Sequence, residues 1–115
     1  MHAVEEWNKL GSVLIQEDQN LTINDLIIED CYNINDTAGE TKYYGLKVKI
    51  KLNTYLLDNV TYEQRCHTIL HEFGHALKLD EFTNLEAKNN VMLQGKLNYM
   101  KLGPADIAVY RYLWG

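Results

Sequence analysis

Proline, cysteine, basic residues and long apolar runs are all scarce in this chain. Its 115 residues include one proline and two cysteines, and 11 basic residues against 16 acidic ones give a net charge of −5. So few cysteines exclude a disulfide scaffold. The longest apolar run, residues 107–110, is far shorter than the roughly 20 residues that span a bilayer. We therefore expect no membrane partner. Because an acidic protein repels a phosphate backbone, we expect no nucleic-acid partner either.

The composition is that of a folded soluble domain, with 46% hydrophobic and 23% charged residues. A chain of 115 residues is close to the commonest domain size, so we predict a single domain over residues 1–115 and expect a monomer. The acidic N-terminus, residues 1–6, lacks the order of basic, apolar and small residues that marks a secretion signal. Cys66 falls on the apolar stripe of a predicted helix, which favours free, buried thiols at Cys31 and Cys66.

The apolar patterns predict an α+β fold, with helices at both ends of the chain and a small sheet between. Ala3, Val4, Trp7 and Leu10 recur at helical spacing before Gly11, where a helix commonly ends. Short stretches rich in β-branched residues predict two strands, and a run of Asn, Asp, Thr and Gly predicts a loop. The strands are residues 13–15 and 21–28, and the loop is residues 33–41.

Residues 46–52 carry the cleanest alternation, with Leu46, Val48, Ile50 and Leu52 separated by lysines. This pattern predicts a half-buried strand. A row of lysines also discourages unwanted pairing at a sheet edge, and a peptide can add itself to such an edge as a further strand. A merely solvated face explains the lysines equally well.

A long helix is predicted to begin at Thr61, because Thr61 and Gln64 have the spacing of a capping box. One stripe of this helix is apolar and should face the core: Cys66, Ile69, Leu70, Phe73, Ala76 and Leu77. Gly103 followed by Pro104 predicts the start of a last helix that continues to Trp114.

The long helix contains the sequence His71-Glu72-Phe73-Gly74-His75. Histidines four residues apart share one helix face, away from the apolar stripe here, so both rings can reach one zinc ion at about 2.0 to 2.1 Å. Glu72 beside them can act as general base on zinc-activated water and return the proton to the leaving amine. The pattern therefore predicts metal-assisted amide hydrolysis, with His71 and His75 as ligands.

His67 lies one turn before His71 but is not expected to bind the same metal. Eight helical residues from His67 to His75 rise about 12 Å, too far for both rings to meet one zinc ion. We expect His67 on the helix surface or behind the ligands. A third protein ligand should then come from just beyond the helix, with the fourth position left for water.

Three stretches, in order, resemble the metzincin zinc metallopeptidases, and the matrix metalloproteinase catalytic domains most closely. Residues 71–81, His-Glu-Phe-Gly-His-Ala-Leu-Lys-Leu-Asp-Glu, are similar to the zinc signature H-E-x-x-H-x-x-G-x-x-H. Asn90-Val91-Met92 resembles the Met-turn, in which a methionine packs beneath the zinc ligands. Residues 102–115 are similar to the closing helix of the matrix metalloproteinases. The resemblance covers the C-terminal half of the chain.

The resemblance implies a zincin-like fold, in which a small mixed twisted sheet packs on the active-site helix, with one catalytic zinc ion. Glu81 takes the place of the third ligand, where histidine is usual, and Asp80 or a weak or absent metal are the alternatives. Lys78 stands where the family has glycine, so the chain must make a left-handed turn there for residue 81 to reach the metal. Asp106 would brace the loop below the metal.

By the same resemblance, the substrate is a peptide or protein that binds as an extended strand. Residues 46–52 would lie along the cleft, and the segment after Met92 would wall the pocket for the residue after the cut bond. The loop over residues 33–41 lacks the His and Asp cluster of a second, structural zinc site. The resemblance also implies secretion, although the N-terminus shows no signal.

The leading hypothesis is a zinc-dependent endopeptidase in which His71, His75 and Glu81 bind the metal and Glu72 is the general base. One alternative is a zincin-fold binding module without turnover, which the departures at Lys78 and Glu81 suggest. The base beside the ligands argues against it, because a purely structural zinc site needs none. The other alternative is a zinc hydrolase that acts on a non-peptide substrate.

Overall fold

A computed structural model describes residues 2–15, 26–45, 47–83, 89–93 and 99–115 of the chain. Over these ranges the protein has an α+β fold with four helices and a three-stranded mixed sheet. The elements are α1 (His2–Asn8), β1 (Leu26–Cys31), β2 (Gly39–Tyr44), β3 (Lys47–Asn53), α2 (Thr54–Leu57), α3 (Tyr62–Ala76) and α4 (Pro104–Trp114). The α+β class and the N-terminal, long and C-terminal helices are confirmed, whereas the short helix α2 was not predicted.

The N-terminal helix α1 packs on α3 through Trp7. The Trp7 side chain is fully buried, and its indole N–H donates to the carbonyl oxygen of Leu70 at 3.0 Å. Its ring also stacks on that of Tyr110 in α4, with 6.1 Å between the centroids. Trp7 therefore joins both ends of the chain to the helix that carries the candidate ligands.

The predicted strand over residues 13–15 is wrong. The Val13 N–H donates to the hydroxyl of Tyr110 at 2.7 Å, and the Asn8 side chain bonds both the N–H and the carbonyl of Ile15. Side chains thus take the backbone groups that a sheet ladder would need. Of the second predicted strand, over residues 21–28, residues 26–28 lie in β1 and residues 21–25 lie outside the described residues.

Strand β3 lies at the centre of the sheet, parallel to β1 on one side and antiparallel to β2 on the other. Its alternation is confirmed, because Ile50 and Leu52 are buried and the intervening lysines lie on the outer face, where Lys49 pairs with Glu29 at 3.5 Å. The prediction that residues 46–52 form a sheet edge is wrong. Alternation reports which face of a strand is buried and carries no information about which edge is free.

The predicted loop over residues 33–41 is too long, because β2 begins at Gly39. The aliphatic alternation that marks β3 is absent from the β2 sequence, Gly-Glu-Thr-Lys-Tyr-Tyr, so no sequence pattern predicted this strand. In the described part of the chain β2 pairs only with β3, which leaves its outer edge open beside α3. The edge next to the candidate site is therefore β2.

The shorter loop before β2 is organised by the buried side chain of Asn53. Its amide nitrogen donates to the carbonyls of Asn33 and Thr37, each at 2.9 Å, and to the side-chain oxygen of Asn35 at 3.1 Å. Its amide oxygen accepts from the backbone N–H groups of Asn33 and Tyr55. The uncharged side-chain amide of Asn53 therefore occupies the space between three oxygen atoms of this loop.

Helix α3 begins as predicted. The Thr61 hydroxyl accepts from the N–H of Gln64 at 3.1 Å, and the Gln64 side chain accepts from the N–H of Thr61 at 3.3 Å. Leu70, Phe73 and Leu77 of the predicted stripe lie in the core. None of the helices in the described ranges is long and apolar enough to cross a bilayer.

The two cysteines are free thiols, in agreement with the sequence-based expectation. Both are partly exposed, so the expectation that they are buried is wrong.

Candidate metal centre

Helix α3 brings the rings of His71 and His75 together, one turn apart. The two Nε2 atoms are 3.0 Å apart. Each Nδ1 atom lies against a backbone carbonyl oxygen: that of Val91 at 2.7 Å for His71, and that of Leu79 at 2.8 Å for His75. The backbone thus holds the Nδ1 atom of each ring, while the two Nε2 atoms face each other.

These contacts fix the tautomers of both rings. A carbonyl oxygen can only accept, so each neutral imidazole carries its proton on Nδ1 and presents a lone pair at Nε2. Two lone pairs that face each other at 3.0 Å cannot form a hydrogen bond. A cation shared between them removes the repulsion, and an Nδ1–H held by a carbonyl is the usual arrangement of a metal-binding histidine.

Glu81 supplies a third candidate ligand atom. Its Oε1 atom lies 3.5 Å from the Nε2 atoms of both histidines. Ligands of tetrahedral zinc at 2.0 to 2.2 Å are about 3.3 to 3.6 Å from one another, so the three atoms have close to the spacing of one zinc site. Asp80 lines the same cleft, but the distances to the ring nitrogens favour Glu81 as the third ligand.

Glu81 reaches the histidines because the chain reverses at Lys78, as the sequence analysis required. Lys78 has a positive φ of 73°. The N–H of Lys78 donates to the carbonyl of His75 at 2.9 Å, and that of Leu79 donates to the carbonyl of Gly74 at 3.0 Å. This pair of bonds is a Schellman motif, which ends a helix through a left-handed residue that is usually glycine.

Replacing Lys78 by glycine should stabilise the fold. A side chain in the left-handed conformation costs about 1 kcal/mol relative to glycine, so Lys78→Gly is expected to raise Tm by about 4 °C. Thermal unfolding followed by circular dichroism measures the change. Lys78→Ala is the matched control, because it removes the charged chain but keeps Cβ and should show no such gain. Equal Tm values for the two variants would contradict the backbone explanation.

The Val91–Met92 dipeptide holds the ligand-bearing segments in place through its two backbone N–H groups and its two backbone carbonyls. Its two carbonyls accept from the Nδ1–H of His71 and, at 2.8 Å, from the N–H of Phe82, the residue after Glu81. Its two N–H groups donate to the carboxylate of Asp106, at 2.7 Å from Val91 and 3.1 Å from Met92. One turn thus positions two of the three candidate ligands.

Asp106 anchors this turn from the first turn of α4. Its side chain is fully buried and accepts a third bond, from the N–H of Gly103, at 2.7 Å. Burial raises the pKa of Asp106, against the opposing effect of the three N–H donors. Asn90 completes the contact, because its side-chain oxygen accepts from the N–H groups of Ala105 and Asp106 at the start of α4.

Met92 is buried beneath the site, in contact with Gly74 of α3. A methyl group added to Gly74 would come within 2.3 Å of the Met92 sulfur and 3.0 Å of the Trp7 ring. Only glycine leaves room for this contact. The need for glycine at position 74 could not be predicted from the histidine spacing, because it depends on Met92, which is distant in the sequence.

Glu72 is buried and lies beside the two histidines. One ring nitrogen of His71, one of His75 and one carboxylate oxygen of Glu72 all lie within 4.8 Å of one another. One Glu72 oxygen, Oε1, accepts a hydrogen bond from the Thr41 hydroxyl at 2.7 Å. The residue also lines an open cleft of about 650 Å³, bordered by β2 on one side and by the turn at Lys78 on the other.

His67 is buried, so the expectation that it lies on the helix surface is wrong. Its side chain is 2% exposed, and its Nδ1 atom lies 2.9 Å from the carbonyl oxygen of Tyr99. Its Nε2 atom has no hydrogen-bond partner within the described residues. Burial lowers the pKa of His67. The ring lies beside that of His71, with 6.4 Å between the centroids. This agrees with the alternative expectation, that His67 lies behind the ligands.

Sequence reasoning missed two residues of β2 that contact α3. Thr41 binds Glu72, and the Tyr43 hydroxyl donates to the carbonyl of His75 and lies 3.1 Å from that of Ala76 at the end of the helix. Both lie on one face of a strand that had no recognisable pattern. The only available signal was their spacing of two residues, which places side chains on the same side of a strand.

No protein-family model matches this chain, and it matches neither a curated protein nor a solved structure. The functional proposal therefore depends on the geometry of the site and on the chemistry of its residues.

Proposed function

We propose that the protein is a zinc-dependent endopeptidase with a zincin-like fold of the metzincin type. The observation that carries this proposal is the triangle formed by the Nε2 atoms of His71 and His75 and the Oε1 atom of Glu81. Its sides are 3.0, 3.5 and 3.5 Å. Both imidazoles are held in the tautomer that binds metal, and a potential base lies next to them.

The residues present fit a zinc ion. Two neutral imidazoles and one carboxylate form a donor set typical of catalytic zinc, and His75 and Glu81 line the open cleft from which a substrate would come. Zinc supplies Lewis acidity, which makes water a stronger acid and a carbonyl carbon a better electrophile. His71, His75 and Glu81 would hold the ion, and the Val91–Met92 turn would keep His71 in position.

Glu72 is the proposed general base. Its carboxylate is close enough to the imidazoles for a water molecule to lie between them. In this role Glu72 accepts a proton from the attacking water and delivers it to the nitrogen of the leaving amine as the C–N bond breaks. The side chain starts and ends the cycle in the same protonation state.

The open edge of β2 supports a peptide as the substrate. An extended chain that pairs with β2 would run past Glu72 and His75, which border the same cleft. Main-chain hydrogen bonds to a strand edge recognise any polypeptide and do not depend on its side chains. The strand that we propose to bind the peptide is therefore β2 and not residues 46–52.

The two alternatives are separated by what the site does once it holds metal. A binding module without turnover has no use for a buried carboxylate held in place beside the ligands, as Glu72 is. A hydrolase of a non-peptide substrate would use the same residues but would not need a free strand edge.

The first test is metal content. We expect one zinc ion per wild-type chain, and Glu81→Ala should weaken zinc binding by at least about 100-fold, because even loss of an outer-shell partner costs 10- to 100-fold. Asp80→Ala is the matched control, since the adjacent carboxylate lines the same cleft and should leave zinc affinity unchanged. Chelator competition followed by elemental analysis measures both. Loss of zinc in Asp80→Ala instead would reassign the third ligand.

The second test is cleavage of a peptide library by the zinc-loaded wild-type chain. Cleavage that stops on removal of zinc and returns on its addition supports the proposal. Zinc bound at one equivalent without cleavage of any peptide would favour a binding role or a non-peptide substrate. No zinc uptake at all would overturn the enzyme reading.

A further inference from the structure

The Glu72 carboxylate is held from both sides by two residues of β2 that lie two positions apart. Thr41 and Gly39 share the face of β2 that looks towards α3. Thr41 pairs with Ile50 of β3 in the register, and Ile50 is fully buried, which identifies this face as the inner one. The edge strand therefore reaches the proposed base directly.

Thr41 contacts Glu72 at two oxygens, of which the carboxylate is the nearer. Its hydroxyl lies 2.7 Å from Oε1 and 3.1 Å from the backbone carbonyl oxygen. A hydroxyl has one proton, so the shorter contact receives most of the bond. A hydroxyl–carboxylate distance of about 2.7 Å is typical of a charge-assisted hydrogen bond, one of the stronger kinds in proteins.

Gly39 defines the other side of the same carboxylate. A methyl group added to Gly39 would lie 2.8 Å from Cγ, 3.1 Å from Cδ and 3.3 Å from Oε2 of Glu72. The absence of Cβ at Gly39 thus creates the space that the Glu72 side chain occupies. Backbone freedom is not the reason, because Gly39 is not among the glycines with positive φ.

We propose that Thr41 is a positioning residue that, together with the bare backbone of Gly39, holds Glu72 in the orientation needed for proton transfer. Thr41 binds Oε1, so Oε2 stays free to accept the proton. Because Thr41 lies on the strand whose edge would receive the peptide, base and substrate are aligned by the same element. This inference rests on the proposed endopeptidase function for its kinetic consequence, but the orientation of Glu72 can be tested without it.

Thr41→Val keeps the shape of the side chain and removes the donor, whereas Thr41→Ser keeps the donor and removes the methyl group. In the zinc-loaded chain we expect Thr41→Val to lower kcat about 10-fold while KM and zinc affinity stay within about twofold. Thr41→Ser should restore kcat to within about threefold of wild type. Gly39→Ala should lower kcat in the same way, because its methyl group displaces the carboxylate.

A crystal structure of zinc-free Thr41→Val gives a readout that does not require activity. We expect the Glu72 carboxylate to have left its wild-type position, and to occupy it in Thr41→Ser. Wild-type kcat in Thr41→Val, an equal loss in Thr41→Ser, or weakened zinc binding in Thr41→Val would each overturn the positioning role. If the wild-type chain cleaves no peptide, the proposed function fails, and the crystal structures alone decide whether Thr41 orients Glu72.

Discussion

Replacing Glu72 by glutamine is expected to lower kcat/KM for peptide cleavage by about 10³-fold while the zinc content stays at one per chain. Glutamine has nearly the same shape, and its carbonyl oxygen can still accept the Thr41 hydroxyl bond. What it cannot do is accept a proton from the attacking water. Steady-state kinetics and elemental analysis on one preparation measure both quantities.

Glu63→Gln is the matched control for this substitution. Glu63 lies in the first turn of the same helix and is exposed, so the same chemical change there should leave both cleavage and zinc content unaffected. Retention of wild-type cleavage by Glu72→Gln would rule out Glu72 as the base. Loss of zinc together with activity would instead indicate that Glu72 is a ligand, as its closeness to both histidines allows.

The second large effect is expected from Asp106→Ala, which should lower the free energy of unfolding by about 3 to 5 kcal/mol. The substitution leaves three buried N–H groups without an acceptor, those of Val91, Met92 and Gly103. Because the carbonyl of Val91 holds His71, zinc affinity should fall as well, by about 10- to 100-fold. Urea unfolding of the zinc-free chain and chelator competition measure the two effects separately.

Two further variants show what the Asp106 carboxylate contributes. Asp106→Asn keeps one acceptor oxygen but turns an amide group towards the N–H donors, so its stability should lie between wild type and Asp106→Ala. Asp36→Ala removes an exposed carboxylate from a loop and should change stability by less than about 0.5 kcal/mol. A loss of stability in Asp106→Ala without a change in zinc affinity would show that the Val91–Met92 turn does not position His71.

The features that could be predicted from the sequence are those whose cause is local. A capping box starts α3 because Thr61 and Gln64 are close along the chain. Histidines four residues apart share a helix face whatever surrounds the helix. The turn at Lys78 was implied by the resemblance, which places a metal ligand at residue 81, because a straight helix would have carried that residue away from the metal.

The errors occurred where a neighbour distant in the sequence decides the outcome. The alternation over residues 46–52 identified the buried face of β3, but only pairing with β1 on one side and β2 on the other makes it the central strand. Strand β2 was missed because its place depends on β3 and α3 and not on its own hydrophobicity. Whether His67 lies at the helix surface or behind the ligands stayed open, because nothing in its helix reveals that Tyr99 covers it.

The sequence by itself therefore determined the α+β class, the long helix, the histidine pair and the candidate base, since each depends on spacing within one segment. Only the tertiary structure decided between Glu81 and Asp80 as the residue that meets the histidines. It also decided which N–H groups Asp106 binds, where the resemblance implied only a brace below the metal, and that β2 supplies the edge beside Glu72. These relations join different segments of the chain, and the distances between them are set by packing between elements, which a linear pattern does not record.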